Sequence, residues 1–395
     1  MNIPINQERL ARTFIQLCEI DSPSRREKEV ADYLRRTFHA LGAEKIFEDR
    51  SAEQTGSQCG NLIISIAGNR PEQETIFFAC HMDTVEPGCG VQVLQTGDIF
   101  TSIGDTVLGG DDKSGIAAII ELIRILQENK IDHGPLEILF TTCEEIGLLG
   151  AKALDWNRLT AGYGYALDSS GIDRIIIGAP AANKLLIDIH GIAAHAGLHP
   201  EQGISALCLA AQAIANLRLG RLDDESTANL GLIHGGVATN IIPDHIIIEG
   251  EVRSHSLQKL AAYTEEIQRA FQQEVDHWPA LAPTALEQIS ETPTQAPAPS
   301  VLVNVQVDYP AMRLELSDPV LMRVKQAGLD LGRTLEFQMA GGGSDANILN
   351  SFGLPTAIIA TGMNKVHTTD EYLDLKDLVR LTELLFAIVT VTVGE

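Results

Sequence analysis

Short continuous apolar runs separated by polar turns mark out the strands of this chain. NLIISIAG, TIFFAC, LEILFTTC, YGYALD and PTAIIATG have the length and the β-branched or aromatic content of buried strands. SGIAAIIELIRILQENK repeats its apolar positions over a longer stretch and reads as a helix between two of them. An earlier helix follows Asp21-Ser22-Pro23, with Ser24 and Glu27 as an S-x-x-E capping box and Gly42 closing it. Strands alternating with helices predict an α/β domain around a mixed, largely parallel sheet.

The pattern changes near Pro180. KLLIDIHG reads as a strand, ISALCLAAQAIANLRL as a helix, and ANLGLIHGG and HIIIEGEVRS as strands. LQKLAAYTEEIQRAFQQEV then reads as a helix and VLVNVQVDY as a final strand. The order β-α-β-β-α-β predicts a ferredoxin-like α+β sandwich. A Pro-rich stretch, PALAPTALEQISETPTQAPAPS, precedes the last strand and reads as a mobile loop. After Leu314 the α/β pattern resumes. Residues 1–181 and 314–395 are therefore expected to form one domain, into which residues 182–313 are inserted.

Charge narrows the functional classes. A formal net charge of −24 over 395 residues argues against nucleic acid and against an anionic membrane, both of which call for clustered Lys and Arg. The six cysteines are scattered without a C-x-x-C pair, as expected of reduced thiols in a cytoplasmic protein. Cys80 and Cys143 sit in apolar runs and read as packing residues. The N-terminus has no signal-peptide pattern, and no stretch reaches the ~18 unbroken apolar residues of a membrane span. A cytoplasmic location is expected.

Against this background, polar residues at strand ends stand out. TIFFAC runs into His81-Met82-Asp83, LEILFTTC into Glu144-Glu145, and YGYAL into Asp168. PTAIIATG leads to His367, and DTVLGG to Asp111-Asp112-Lys113 before a helix. In an open α/β sheet, sites form beyond the carboxyl ends of the strands. Histidine with carboxylate suits zinc or a similar divalent ion, and two ions about 3.5–4 Å apart need a carboxylate that bridges them. In GGDDKSG, the Asp pair can offer one bridging ligand and one supporting residue. Asp83, two residues from His81, can orient its imidazole. Of Glu144 and Glu145, one can bind metal while the other holds an attacking water as general base. Each fragment alone is commonplace; it is their joint order at strand ends that points to a di-metal hydrolase.

HMDTV, TVLGGDDKSG, TTCEEIGLLGA, ALDSS, AAHAGLHPEQGISA, GGVATNIIPD, GGGSDAN and VHTTDEYL resemble the successive signatures of the di-zinc exopeptidases. DTVLGGDDKSG looks closest to the peptidase T-like branch. The resemblance implies two divalent ions per chain, zinc, with cobalt and manganese as alternatives. It places His81 and Asp168 at one ion, Glu145 and His367 at the other, and Asp111 as the bridge, with a cis peptide to Asp112. It makes Glu144 the general base toward a metal-activated water and Asp83 a supporting residue. His195 of AAHAG resembles the family's transition-state histidine, often supplied by the partner subunit of a homodimer through the inserted lid and dimerisation domain. Asn240, Arg253 and the Gly341-Gly342-Gly343-Ser344 turn resemble substrate-carboxylate contacts, although EVRSHS has no acid adjacent to its arginine. The implied activity is an aminopeptidase on short peptides, the alternative being a carboxypeptidase or N-acyl-amino-acid amidohydrolase. Domain closure about crossings near Ala179–Ala182 and Met312–Leu314 is expected to complete the site.

Overall fold

The structure, a computed structural model, describes residues 3–278 and 298–391. The chain divides into two compact units, Met1–Ala179 with Met312–Glu395, and Pro180–Ala311. The Pro-rich stretch read as a loop lies, over 279–297, outside the described residues.

The first unit is built on a nine-stranded sheet. Its order is Lys45–Glu48, Leu62–Ile66, Leu136–Thr141, Ile76–His81, Tyr163–Ala166, Thr356–Ile359, Arg174–Ala179 and Met312–Arg313, with Glu336–Met339 also pairing Arg174–Ala179. The central pairs are parallel and the outer ones mostly antiparallel, so the sheet is mixed with a parallel heart. Ile76–His81 is buried on both faces: Phe78 and Cys80 enter one core, Phe77 and Ala79 the other. That two-sided burial is why the strand reads as an unbroken apolar run. Gly110–Glu128 is buried along most of its length and packs against Gln7–Cys18 and Leu375–Thr390.

Two features were not evident from the apolar pattern. A small four-stranded sheet pairs Val93–Thr96, Ile99–Ser102, Tyr372–Asp374 and Met363–Asn364. The S-x-x-E pattern at Ser24 also does not cap a helix. The helix starts at Lys28 with no side-chain cap from Glu27. Ser24 Oγ instead donates to Asp83 Oδ2 at 2.6 Å, and the Glu27 carboxylate accepts from Arg25 N, Cys143 N and Ser57 Oγ. Long-range partners outcompete the local cap. Gly42 does stand just past the helix, at φ +69°.

The second unit is a five-stranded antiparallel sheet: Gly220–Asp223, Ser226–Gly235, His245–Ser254, Ala181–His190 and Ser300–Tyr309. Without the short edge strand Gly220–Asp223, this is the ferredoxin-like order. Ala206–Ala215 and Leu257–His277 pack on one face, over Ile187, Ile189, Ile246 and Ile248. Among the described residues, no helix is long and apolar enough to cross a membrane.

Candidate active site

Three parallel neighbours deliver their carboxyl ends to one rim of the first unit's sheet. His81 ends its strand opposite Thr141, and Asp168 follows Ala166 on the other side. Beyond Thr141 the backbone turns sharply at Cys143 (φ 54°), which swings Glu144 and Glu145 over the rim. Asp111 and Asp112 stand at the mouth of the long buried helix, non-helical and joined by a cis peptide bond. His367 comes from the loop between two strands of the small sheet, also in the left-handed region (φ 61°).

These side chains meet. His81, Asp111 and Asp168 can place one ligand atom each within 4.8 Å of one another, as can Asp111, Glu145 and His367, and His81, Glu144 and Glu145. Asp111 joins the first two groups through different oxygens: Oδ1 lies 3.0 Å from His81 Nε2 and Oδ2 lies 3.2 Å from His367 Nε2. His367 Nε2 is also 3.1 Å from Glu145 Oε1. His81 Nδ1 lies 3.0 Å from the carbonyl oxygen of Asp83, which fixes its proton there. Nε2 then faces a carboxylate oxygen, and Asp111 and Asp83 raise the imidazole well above its ordinary value against its burial, so the contact is met by a proton on Nε2 or by a cation in its place.

The titration of the cluster makes the same demand. Burial, then Asp111, pushes the Asp168 carboxyl up to about 8. Burial, then Asp168, raises Glu144 well above its ordinary value, and burial raises Asp112 likewise. Both Asp112 carboxylate oxygens and Asp345 Oδ1 are buried without a hydrogen-bond partner. Hydrogen bonds donated to Asp111 and Glu145 raise His367 to about 10, while Asp111 itself is held low by His367 and His81 against its burial. So much crowded negative charge and imidazole suits divalent cations of the zinc class.

Asp83 acts differently from a simple partner of His81. Its carboxylate is 3.6 Å from Nδ1, an ion-pair rather than hydrogen-bond distance. It accepts instead from Glu144 N at 3.0 Å, Glu145 N at 3.2 Å and Ser24 Oγ. It therefore braces the Glu-Glu turn as well as facing the imidazole. Three further residues escaped the sequence reading. Glu371 accepts from Gly109 N at 2.8 Å and Asp111 N at 3.2 Å, pinning the Asp111 turn. Lys113, 1% exposed, donates to Ser22 Oγ and Thr84 Oγ1. Asp345, raised to about 6 chiefly by burial, accepts from Thr141 Oγ1. All three stand in the family-like motifs, Lys113 in TVLGGDDKSG, Asp345 in GGGSDAN and Glu371 in VHTTDEYL, and for the two acids the absence of a cation beside them in sequence was the available signal.

The remaining candidates are dispersed. Ser344 caps the helix Asp345–Ser351, its Oγ accepting from Ala346 N and its N–H donating to Asn347 Oδ1. Gly342 and Gly343 lead into that cap. In the second unit, His195 is exposed and its Nδ1 accepts from Gly197 N and Leu198 N, both at 3.2 Å. The proton of the neutral ring therefore sits on Nε2, which is presented outward as a donor. Asn240 is joined to this loop through its carbonyl, which accepts from Ala196 N at 2.9 Å. Arg253 gives part of its charge to Glu251, two residues back on the same strand, at 2.8 Å.

The model of Peptidase family M20/M25/M40 matches residues 77–391, a span that holds every one of the convergent ligands. The chain belongs to this peptidase family, and it is a hydrolase. A relative, the uncharacterized protein YqjE of Bacillus subtilis (strain 168), is 40% identical over 98% of both chains. The structure of aminopeptidase PepT from Bacillus cereus ATCC 10987 is 40% identical, with a TM-score of 0.83 over 98% of both chains. A tripeptidase structure from Staphylococcus aureus is 33% identical, with a TM-score of 0.88 over 98% of both.

Proposed function

We propose that this chain is a zinc-dependent aminopeptidase of short peptides, peptidase T-like, cytoplasmic and homodimeric. The observation that carries the metal reading is Asp111, whose two carboxylate oxygens face two separate His- and carboxylate-bearing groups. The substrate class is supported by likeness to an aminopeptidase and a tripeptidase at 40% and 33% identity.

His81, Asp111 and Asp168 would hold one ion, and Asp111, Glu145 and His367 the other. When bound, such ions supply the positive charge that polarises a scissile carbonyl and makes water acidic enough to attack near neutral pH. Glu144, buried and with its carboxyl biased toward taking a proton, removes one from the attacking water and returns it to the leaving amine. Asp83 holds the Glu144 backbone in place for this step. His195 donates its Nε2–H to the developing oxyanion, serving the partner chain of the dimer. Asn240, Arg253 and the backbone of Gly342, Gly343 and Ser344 hold the substrate's terminal charge.

Purified protein assayed against free tripeptides, dipeptides and N-acyl amino acids tests the reading. Turnover of tripeptides with a free amino end, abolished by chelation and restored by zinc, is expected. Preference for N-acyl amino acids would overturn the aminopeptidase assignment in favour of the amidohydrolase alternative.

A further inference from the structure

A second group of metal-ligating side chains stands on the face of the inserted unit's sheet opposite its two packed helices, a face that no helix covers among the described residues. Asp188 and His190 are two residues apart on Ala181–His190, so they share a face. His245 opens the next strand and is the register partner of His190. The intervening Ile187 and Ile189, and Ile246 and Ile248, point the other way into the core, while Asp188, His190 and His245 are partly or fully exposed.

Both imidazoles aim Nε2 at one oxygen. Asp188 Oδ1 lies 3.0 Å from His190 Nε2 and 2.7 Å from His245 Nε2. The rings stack at 4.6 Å between centroids and 9° between planes. A solvated surface carboxylate is satisfied by one such partner and by water. Here a single oxygen is bracketed by two rings, and the three donor atoms lie within 4.8 Å of one another. A tetrahedral ion with bonds of about 2.0–2.1 Å holds its ligand atoms roughly 3.3 Å apart. The two carboxylate contacts, at 3.0 and 2.7 Å, lie within about 0.3–0.6 Å of that value, and both rings are exposed. Two imidazoles and one carboxylate select zinc, copper or nickel over magnesium or calcium.

The position gives such an ion a consequence. His190 ends its strand five residues before His195, and His245 begins its own five residues after Asn240. The two loops are already joined higher up, by Ala196 N to Asn240 O and Ile242 N to Ala194 O, both 2.9 Å. The backbone already pairs there, His190 with His245 and Gly191 N donating to Asp244 O at 2.7 Å, and a ligand bridge between the two rings would add a side-chain tie to that root. We propose that Asp188, His190 and His245 form a separate site for a late first-row divalent cation of the zinc class, and that its occupation clamps the roots of the loops carrying His195 and Asn240. Each ring then gives its Nε2 lone pair and carries its proton on Nδ1.

The test titrates chelated full-length protein with zinc against a chromogenic chelator, wild type beside the His190→Gln/His245→Gln double variant. The variant is expected to bind one equivalent fewer and to keep its peptidase activity. The difference between the two proteins reads this site whatever number of ions the peptidase cluster takes, so the two readings fail separately. Equal stoichiometry and affinity in both would overturn the site. Asp188→Asn, which keeps shape and loses charge, is expected to weaken that one equivalent by roughly tenfold or more, and an unchanged affinity counts against it equally. In hydrogen exchange, added zinc should slow the amides of 191–199 and 236–244 in wild type and leave them unchanged in the double variant. Loops that exchange alike with and without zinc in wild type would overturn the clamp.

Discussion

The peptidase cluster of the large unit and the His195 loop of the inserted unit are built on opposite plans. In the cluster, acids and imidazoles from distant segments converge at a buried rim, and each is held by a neighbour: Asp111 by Glu371, the Glu-Glu turn by Asp83, Asp83 by Ser24. His195 and Asn240 stand on exposed loops tied by a few backbone hydrogen bonds. Holding cations asks for concentrated charge fixed where water screens it little. The oxyanion role proposed for His195 asks for one donor in the right tautomer, and a pair of backbone N–H groups on Nδ1 provides that without burial.

The comparison is most sharply broken at Glu144. Glu144→Gln should keep metal content while kcat falls about 10²–10⁴-fold, read by steady-state kinetics beside metal analysis. Near-normal kcat in the metal-replete variant would assign the proton transfer to another group. His195→Ala should lower kcat by about 10²–10³-fold, again with metal intact, if it meets the transition state and not the ions, as proposed. A loss explained by lost metal would place His195 among the cluster's supports.

Bracing makes a smaller effect. Glu371→Gln puts an amide where two backbone N–H groups now donate, and metal affinity should weaken about 10–100-fold in competition titration. An unchanged affinity would mean the Asp111 turn holds itself.

The smallest effect is on stability. In chelated protein Asp168 keeps its proton up to about 8, whereas the unfolded chain releases it near an ordinary carboxylate value of about 4. His367, raised to about 10, likewise stays protonated after the unfolded chain has let go. Both groups bind more protons folded than unfolded, so stability falls as pH rises through that window. The melting temperature of chelated protein should therefore drop between about pH 4 and about pH 10, most steeply between about 6.5 and about 8 where both groups contribute, and zinc should flatten the slope by replacing the protons. An equal slope with and without zinc would separate the cluster from cation binding.

The strands were legible because burial on both faces writes itself as unbroken apolar runs, as in IFFACH. Their chemistry was legible because a polar residue abutting such a run has little structural reason to be there. The supports were not. Ser24 and Glu27 match a local capping pattern, and only the fold shows that Asp83 and Cys143 claim them. Glu371 looks like an ordinary surface acid until the small sheet carries it beneath Gly109, and that sheet's strands are too short and half-exposed to stand out. Gly220–Asp223 escaped for the same reason, being an exposed edge.

The small sheet also sets an order of assembly. It pairs Ile99–Ser102 with Tyr372–Asp374, and the same late segment brings His367 and Glu371 to Asp111. On a ribosome, Asp168 emerges about 200 residues ahead of His367. At roughly 5–20 residues per second, on the order of 10–40 s separate the two. The whole inserted unit is synthesised in that interval. A newborn chain thus cannot assemble the proposed set of ligands until His367 has been made, long after the rest of them.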